Sequence, residues 1–430
     1  MREMKDSGVA WIGEIPKEWE LKSIRHLLIE RNEKNRALSV KTILSLSAKE
    51  GVTLYNSENH SGNKPREDLS DYKIVREHDI VVNSMNILSG SVGLSDYEGV
   101  VSPVYYIYYP RYEDNIEYMH YIFQCFEFQR SLRGLGNGIL IKETESGSLN
   151  TIRMRIPSKK LALQELPYCH REEQDRIVMA LNSIIKKIDS LITNQQKQIE
   201  RLKAYKQSLI TEIVTKGLNP DVPMKDSGVE WIGEIPKDFS VQNIRSLFTI
   251  KKDIIGHEPD TVLSITRSGI KIKDISENNG QMADSYANYQ VVNIGDFAMN
   301  HMDLLTGGIG ISQYNGVTSP DYRVFNLKDN KMNPRYFLYI FETYYRNKIF
   351  YAFGQGAANL GRWRLPAKNF YSIYIPVAPI EEQQAIVSYL DQKCTQIDNL
   401  IAIKQKKIEK LQQYKKSLIY EYVTGKKEVK

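Results

Sequence analysis

Met4 to Trp19 reads MKDSGVAWIGEIPKEW, and Met224 to Phe239 reads MKDSGVEWIGEIPKDF. Thirteen of the sixteen positions are identical at a separation of 220 residues, so one module is used twice. Gly8, Gly13 and Pro16 preclude a helix in the stretch, while Trp11, Ile12 and Ile15 alternate with the turn formers. The pattern predicts an ordered strap laid against apolar surface.

A second duplicated block lies inside each copy. Asp79 to Tyr105 (DIVVNSMNILSGSVGLSDYEGVVSPVY) aligns without a gap to Asp296 to Tyr322 (DFAMNHMDLLTGGIGISQYNGVTSPDY) at an offset of 217. Short alternating runs separated by Gly and Asn read as strand, glycine-rich turn, strand, tight turn, strand. The frame matches while polar residues beside it differ: Ser84 stands against His301 and Asn86 against Asp303. The polar stretch Asn56 to Pro65 reads as a loop. Helical stretches are expected around Ile116 to Leu132 and Pro334 to Phe353, their aromatics spaced for core packing. Gly136-Asn137-Gly138 and Gly354-Gln355-Gly356 then open segments that differ strongly, ILIKETESGSLN against AANLGRWRLPAK. Ile156-Pro157 is matched with Ile375-Pro376, which leaves Leu161 to His170 as extra residues in the first copy.

Arg171 to Lys216 and Ile380 to Thr424 form the third matched pair, at an offset of 209 and without Gly or Pro inside the expected helices. Each opens on Glu-Glu-Gln, where carboxylates complement the N-terminal helix dipole. Leu181, Ile184, Ile188, Leu191, Leu202, Tyr205 and Leu209 are taken as one packing seam, with Leu390, Ile397, Leu400, Leu411, Tyr414 and Leu418 as its counterpart. At 1.5 Å per residue each rod is roughly 60 Å long. An amphipathic rod of that length needs a partner, and the nearest one is its own copy. An antiparallel two-helix coiled coil is expected, rather than two helices each packed on its own domain. In that arrangement the strap at Met4 to Trp19 supplies at the end of the second helix what the repeat at Met224 supplies at the end of the first.

Composition bounds the function. The 430 residues are 41% hydrophobic and 26% charged, ordinary for a soluble globular protein of two or three domains. No apolar run suits a membrane span or a signal peptide, so a cytoplasmic protein without membrane contact is expected. Cys125, Cys169 and Cys394 lie outside any metal-ligand spacing and read as structural thiols in a reducing compartment. A net charge of +6 permits nucleic-acid binding without demanding it. Gly134 to Lys142 has the wrong spacing for a phosphate loop, and no dinucleotide fingerprint or His/Cys cluster is present. Asn333-Pro334-Arg335-Tyr336 reads as a helix start rather than a methyltransferase motif. No catalytic, cofactor-binding or metal-binding residues are expected on this chain.

The doubled GEIP-x-x-W/F opening, the Ile-Pro strand before Glu-Glu-Gln, and the long helix ending Ser-Leu-Ile-x-Glu-x-Val-Thr resemble the specificity subunit of type I restriction-modification systems. The resemblance covers essentially the whole chain. It implies an α+β fold with two tandem target-recognition domains related by a pseudo-two-fold and separated by the two antiparallel helices. The implied organisation is a strap at 1–20, recognition domain 1 at 21–160 and a central long helix at 171–217. A linker with the repeated strap follows at 218–240, then recognition domain 2 at 241–378 and the C-terminal long helix at 380–424. It further implies that each domain reads one half of a bipartite, asymmetric target on double-stranded DNA. Two methylation subunits and motor-nuclease subunits would be the protein partners, and S-adenosylmethionine, ATP and Mg would bind those partners rather than this chain. The alternative is a tandem-repeat protein-interaction scaffold without sequence-specific DNA binding.

Half-sites that differ need one frame carrying different polar side chains, so candidate DNA-binding residues lie where the copies diverge beside matched positions. They are Lys64, Arg66, Asn86 and Lys142 in the first copy. In the second they are Arg267, Lys271, Asp303, Gln355, Asn359, Arg362 and Arg364. Arg and Lys can pair with guanine, Asn and Gln with adenine, and Asp with the cytosine amine. The same side chains can instead hold phosphates or remain solvated surface. Trp363 reads as a core anchor.

Overall fold

A computed structural model describes the chain except residues 1, 57–63, 139–140, 144–148, 152–153, 275–283, 306, 357–362 and 430. The chain divides into two compact units, Met1–Gln196 with Lys406–Lys430, and Lys197–Gln405. Each unit therefore takes part of both long helices. Among the described residues no helix is long and apolar enough to cross a membrane.

The two units repeat one order of elements. In the first, a four-stranded antiparallel sheet runs Leu28–Glu30, Tyr105–Pro110, Ile80–Asn83, Val92–Leu94. In the second, the same order is Phe248–Lys251, Arg323–Leu327, Phe297–Met299, Ile309–Ile311. The matched glycines are explained by close approach. A Cβ on Gly99 would fall 2.9 Å from the Thr42 carbonyl oxygen, and one on Gly316 would fall 2.8 Å from that of Thr261. Matched polar residues also build the frame. Asp79, 1% exposed, makes two hydrogen bonds to Arg31 at 2.9 and 3.1 Å and accepts the Arg76 N–H. Asp296 does the same with Lys251, at 2.6 Å, and the Asn293 N–H. Removing one member strands a buried charge. Asp79→Ala is therefore expected to cost the first unit about 3–5 kcal/mol, read as a lower denaturant midpoint, whereas an exposed Asp96→Ala control should change it little.

Each strap is a two-stranded hairpin, Met4–Asp6 on Glu14–Pro16 and Met224–Asp226 on Glu234–Pro236, turning through glycines at positive φ. Trp19 and Phe239, each 1% exposed, carry the straps into the two main cores. The helical stretches of the sequence are interrupted. Ile116–Gln124 and Phe126–Ser131 break at Cys125, while Pro334–Arg346 and Ile349–Ala352 are separated by Lys348 at φ +59°. Asn333 caps Pro334–Arg346 by accepting the Arg335 N–H, and Pro334 occupies its first turn, so the Asn-Pro-Arg-Tyr stretch is a helix start.

The long helices span Arg171–Lys216 and Ile380–Val423 and pair antiparallel within each unit. Asp189 meets Lys415 at 2.8 Å in the first unit, and Asp398 meets Lys206 at 2.6 Å in the second. These ion pairs are equivalent under the 209-residue repeat and fix one register. The buried glutamine of each Glu-Glu-Gln locks the long helix to the rest of its unit. Gln174 accepts the Asn115 N–H and donates to the Cys169 carbonyl, as Gln383 does with Asn333 and Ala378. The exposed Leu191, Tyr205, Leu400 and Tyr414 are not seam residues. The inward positions are Ile192, Lys206, Ile401 and Lys415, one residue further along and about 100° round the helix. The apolar reading drifted wherever the true seam turned polar, which it also does at the buried Gln195.

The alignment before the helices also needs correcting. Glu165–Tyr168 pairs with Glu20–Ser23 as Tyr374–Val377 pairs with Ser240–Asn243. The counterpart of Ile375-Pro376 is thus Leu166-Pro167, and Ile156-Pro157 corresponds to Leu365-Pro366. Leu161 to His170 is no insertion. The length difference lies earlier, between Asn137 and Arg155 (155 − 137 = 18) against Gln355 and Arg364 (364 − 355 = 9). An Ile-Pro pair misled because Leu-Pro occupies each of the two positions it left unmatched.

Candidate nucleic-acid interface

The loops after the third strand of each sheet, counted in spatial order, gather much of the candidate chemistry. In the second unit, Leu365 N–H donates to the His301 carbonyl at 2.9 Å, tying the segment after Gly354 to the loop that carries Asp303. Gln355 and Arg364 exchange backbone hydrogen bonds of 2.7 and 3.0 Å. The hairpin turn of Arg267 closes on the same loop, since a Cβ on Gly308 would lie 2.1 Å from the Thr266 carbonyl oxygen. Arg267, Asp303, Gln355 and Arg364 therefore share one end of the unit. Lys271 is exposed on the hairpin strand Gly269–Ile272, opposite Ser264. Asn359 and Arg362 lie outside the described residues.

In the first unit, Asn86 is exposed at the start of the turn Ile87–Ser89, which packs beside strand Leu149–Thr151. That strand pairs with Ile141–Glu143 and sets Lys142 opposite Asn150. The Lys142 side chain lies outside the described residues. Lys64 and Arg66 are exposed on the segment leading to strand Lys73–Val75, where the Arg66 N–H donates to the Tyr72 hydroxyl at 3.1 Å.

Neighbouring residues sort into anchors and charges. Trp363 stacks on Tyr351 at 5.4 Å between ring centroids and donates to its carbonyl at 2.7 Å, which anchors the segment. Ser84 spends its hydroxyl on the Val104 carbonyl, whereas His301 at the matched place has a buried Nδ1 with no partner among the described residues. Burial, reinforced by Arg323 and Arg364, pushes the His301 pKa down to about 3, so the ring is neutral at physiological pH. Arg323 is 5% exposed and donates to the Leu365 carbonyl at 2.7 Å, with its guanidinium 4.7 Å from the Phe370 ring centroid. A charged groove of about 750 Å³ lies between helix Pro334–Arg346, the long helices and the hairpin turn, with Arg267 in its wall. Its Arg335 and Lys206 are neutralised by Asp391 and Asp398.

The corrected alignment exposes two residues that the sequence reading missed. Asn137 pairs with Arg155 as Gln355 pairs with Arg364, and all four are exposed. The signal was present in Gly-Asn-Gly against Gly-Gln-Gly, but an alignment displaced by the Ile-Pro match hid Arg155.

Two units of one design, each closed by paired long helices, make up a tandem repeat. Residues 236–413 match the family described as "Type I restriction modification DNA specificity domain". The chain is 25% identical to a putative type I restriction enzyme MjaX specificity subunit of Methanocaldococcus jannaschii, with 97% of this chain and 96% of that protein aligned. It is 27% identical to the type I restriction enzyme MjaVIII specificity subunit of the same organism, over 62% of this chain and 63% of that one. A chain from a structure of type I restriction-modification complex assembly shares the fold, with a TM-score of 0.66 at 11% identity over 95% of this chain and 98% of the other. Over residues 236–413 the chain therefore carries a type I specificity domain, and along nearly its whole length it is similar to type I specificity subunits.

Proposed function

We propose that this chain is the non-catalytic DNA-recognition subunit of a type I complex, with each recognition unit reading one half of a bipartite, asymmetric target. The supporting observation is a single frame repeated twice, with different polar side chains at the same loop end: Asn86 against Asp303, Ser84 against His301, and Tyr106 against Arg323. Half-sites of different sequence need that combination, because phosphate contacts position a protein and base-edge contacts specify the sequence.

The long helices set the spacer between half-sites and dock two methylation subunits. Leu191 and Leu400 are exposed at equivalent positions, as are Tyr205 and Tyr414. A face presented twice suits two copies of one partner, and exposed Leu and Tyr suit the core of an interface. The methylation subunits supply S-adenosylmethionine chemistry. Motor-nuclease subunits bring ATP and Mg, and no cofactor binds this chain.

The test is binding of the complex with its methylation subunit to a duplex library. Enrichment of a two-part sequence supports the reading. Equal binding to all duplexes contradicts it and favours a protein-interaction scaffold.

A further inference from the structure

Arg155 and Arg364 occupy the same place in two units that otherwise diverge around them. Each sits across an antiparallel bridge from an exposed amide side chain, Asn137 or Gln355. Each is followed by a fully buried residue, Ile156 or Leu365, whose N–H donates at 2.9 Å to the Ser84 or His301 carbonyl. The residue before each arginine is also held. A Cβ on Gly136 would overlap Met154, and one on Gly354 would overlap Trp363, so backbone and anchor are in tight contact in both units. The arginine backbones are therefore rigidly placed, while their side chains are exposed. Among the described residues no carboxylate pairs with either guanidinium.

A second, buried cation lies near each arginine. In the first unit, Lys73 is 9% exposed and donates to the Tyr105 carbonyl at 2.9 Å, with Glu30 at 3.6 Å as its carboxylate. Burial lowers the Lys73 pKa, and Arg155 and Lys34 lower it further. In the second unit, Arg323 is buried, and among the described residues it has no carboxylate partner and its Nη1 has no hydrogen-bond partner. Clustered cations of this kind are unfavourable in the free protein and are relieved by an incoming anion.

We propose that Arg155 and Arg364 are equivalent phosphate-holding residues, each gripping the DNA backbone at one half-site. The inference rests on the DNA-reading function proposed above and names the part of that surface that carries no sequence information. A residue that reads bases should differ between units whose half-sites differ, as Asn86 and Asp303 do. An arginine retained at the root of segments that place 17 and 8 residues between the bridged pair must meet something common to both halves. The phosphate backbone is that common element, and the planar guanidinium fork matches its oxygens.

The test uses the complex of the full chain with its methylation subunit, and target and scrambled duplexes titrated between 50 and 200 mM salt. Arg155→Ala and Arg364→Ala are each expected to weaken both duplexes by about tenfold at low salt. The slope of log affinity against log salt should flatten by about one unit, and Arg→Lys should restore part of the loss. Thermal midpoints should not change, because both side chains are exposed. The methylated sequence in cells should stay the same. Unchanged affinity and slope would overturn the inference, as would a variant that alters the base preference of one half-site. Loss of target preference in the wild-type complex is a separate result, which would remove the underlying DNA-reading proposal itself.

Discussion

A chain lacking residues 1–19 is expected to lose order in its first unit, including the C-terminal end of the second long helix, while the second unit stays folded. Trp19 is 1% exposed and donates from Nε1 to Glu173 at 3.1 Å. Arg2 reaches the same carboxylate at 2.6 Å. The strap also grips the far end of the chain. The Ile12 carbonyl accepts from the Tyr420 hydroxyl at 3.0 Å and from Lys426 at 2.5 Å, and Pro16 packs so closely on Gly425 that a Cβ there would lie 2.5 Å away. Losing the Trp19 side chain alone costs about 3–5 kcal/mol by core precedent, a large part of the stability of an ordinary domain. Hydrogen exchange is the measurement. Amides of 406–423 should exchange much faster in the truncated chain, while 197–216, closed by the intact repeat at 224–239, keep their protection. Equal protection of both segments would show that the strap is a passenger.

Deleting one heptad from the middle of each long helix, 194–200 and 404–410, should change the spacer of the DNA target and leave both half-sites intact. Seven residues shorten a helix by about 10 Å, which corresponds to roughly three base pairs. Both deletions are needed, because the Asp189–Lys415 and Lys206–Asp398 pairs fix the register and a single deletion would separate one pair from its seam. Removing a whole heptad keeps the seam facing inward, including the polar Lys206 and Lys415 positions. The methylated motif of the variant should therefore keep its two specific blocks and lose about three bases between them. Altered bases within a block would show that the helices contribute to reading. An unchanged spacer would show that they do not set it.

Much of this fold is legible in the sequence because duplication supplies an internal comparison. The strap repeat, the strand–turn–strand blocks and the antiparallel helix pairing follow from periodicity and matched glycines. The strap's place beside the end of the second long helix follows from the repeat, in which Met224 to Phe239 directly follows the first long helix. Tyr118 and Tyr336 show how far the symmetry extends. Each hydroxyl lies within hydrogen-bond reach of a local proline carbonyl, Pro167 or Pro376, and of the carbonyl near the end of the other copy's long helix, Val423 or Val214.

The failures have equally definite causes. Apolarity alone places Leu191 and Tyr205 in the seam because the true seam turns polar there, at Gln195 and Lys206. The Ile156-Pro157 match failed because a dipeptide is too short to fix an alignment across a length change, and strand pairing was needed to move it to Leu166-Pro167. Arg155 was hidden by that same error. Among the candidate DNA-binding residues, the structure gathers Arg267, Asp303, Gln355 and Arg364 at one end of a unit. Sequence divergence alone could not separate these from Lys271, which lies along the strand of the hairpin.

In the proposed function, one chain reads two DNA sequences held at a fixed separation. The direct measurement is methylome sequencing of cells expressing the intact system, first with this chain and then with a chain whose residues 241–378 are exchanged for those of another specificity subunit. The expected result is a bipartite motif in which the exchange replaces one half and preserves the other half. A continuous motif, or an exchange that changes both halves together, would contradict it.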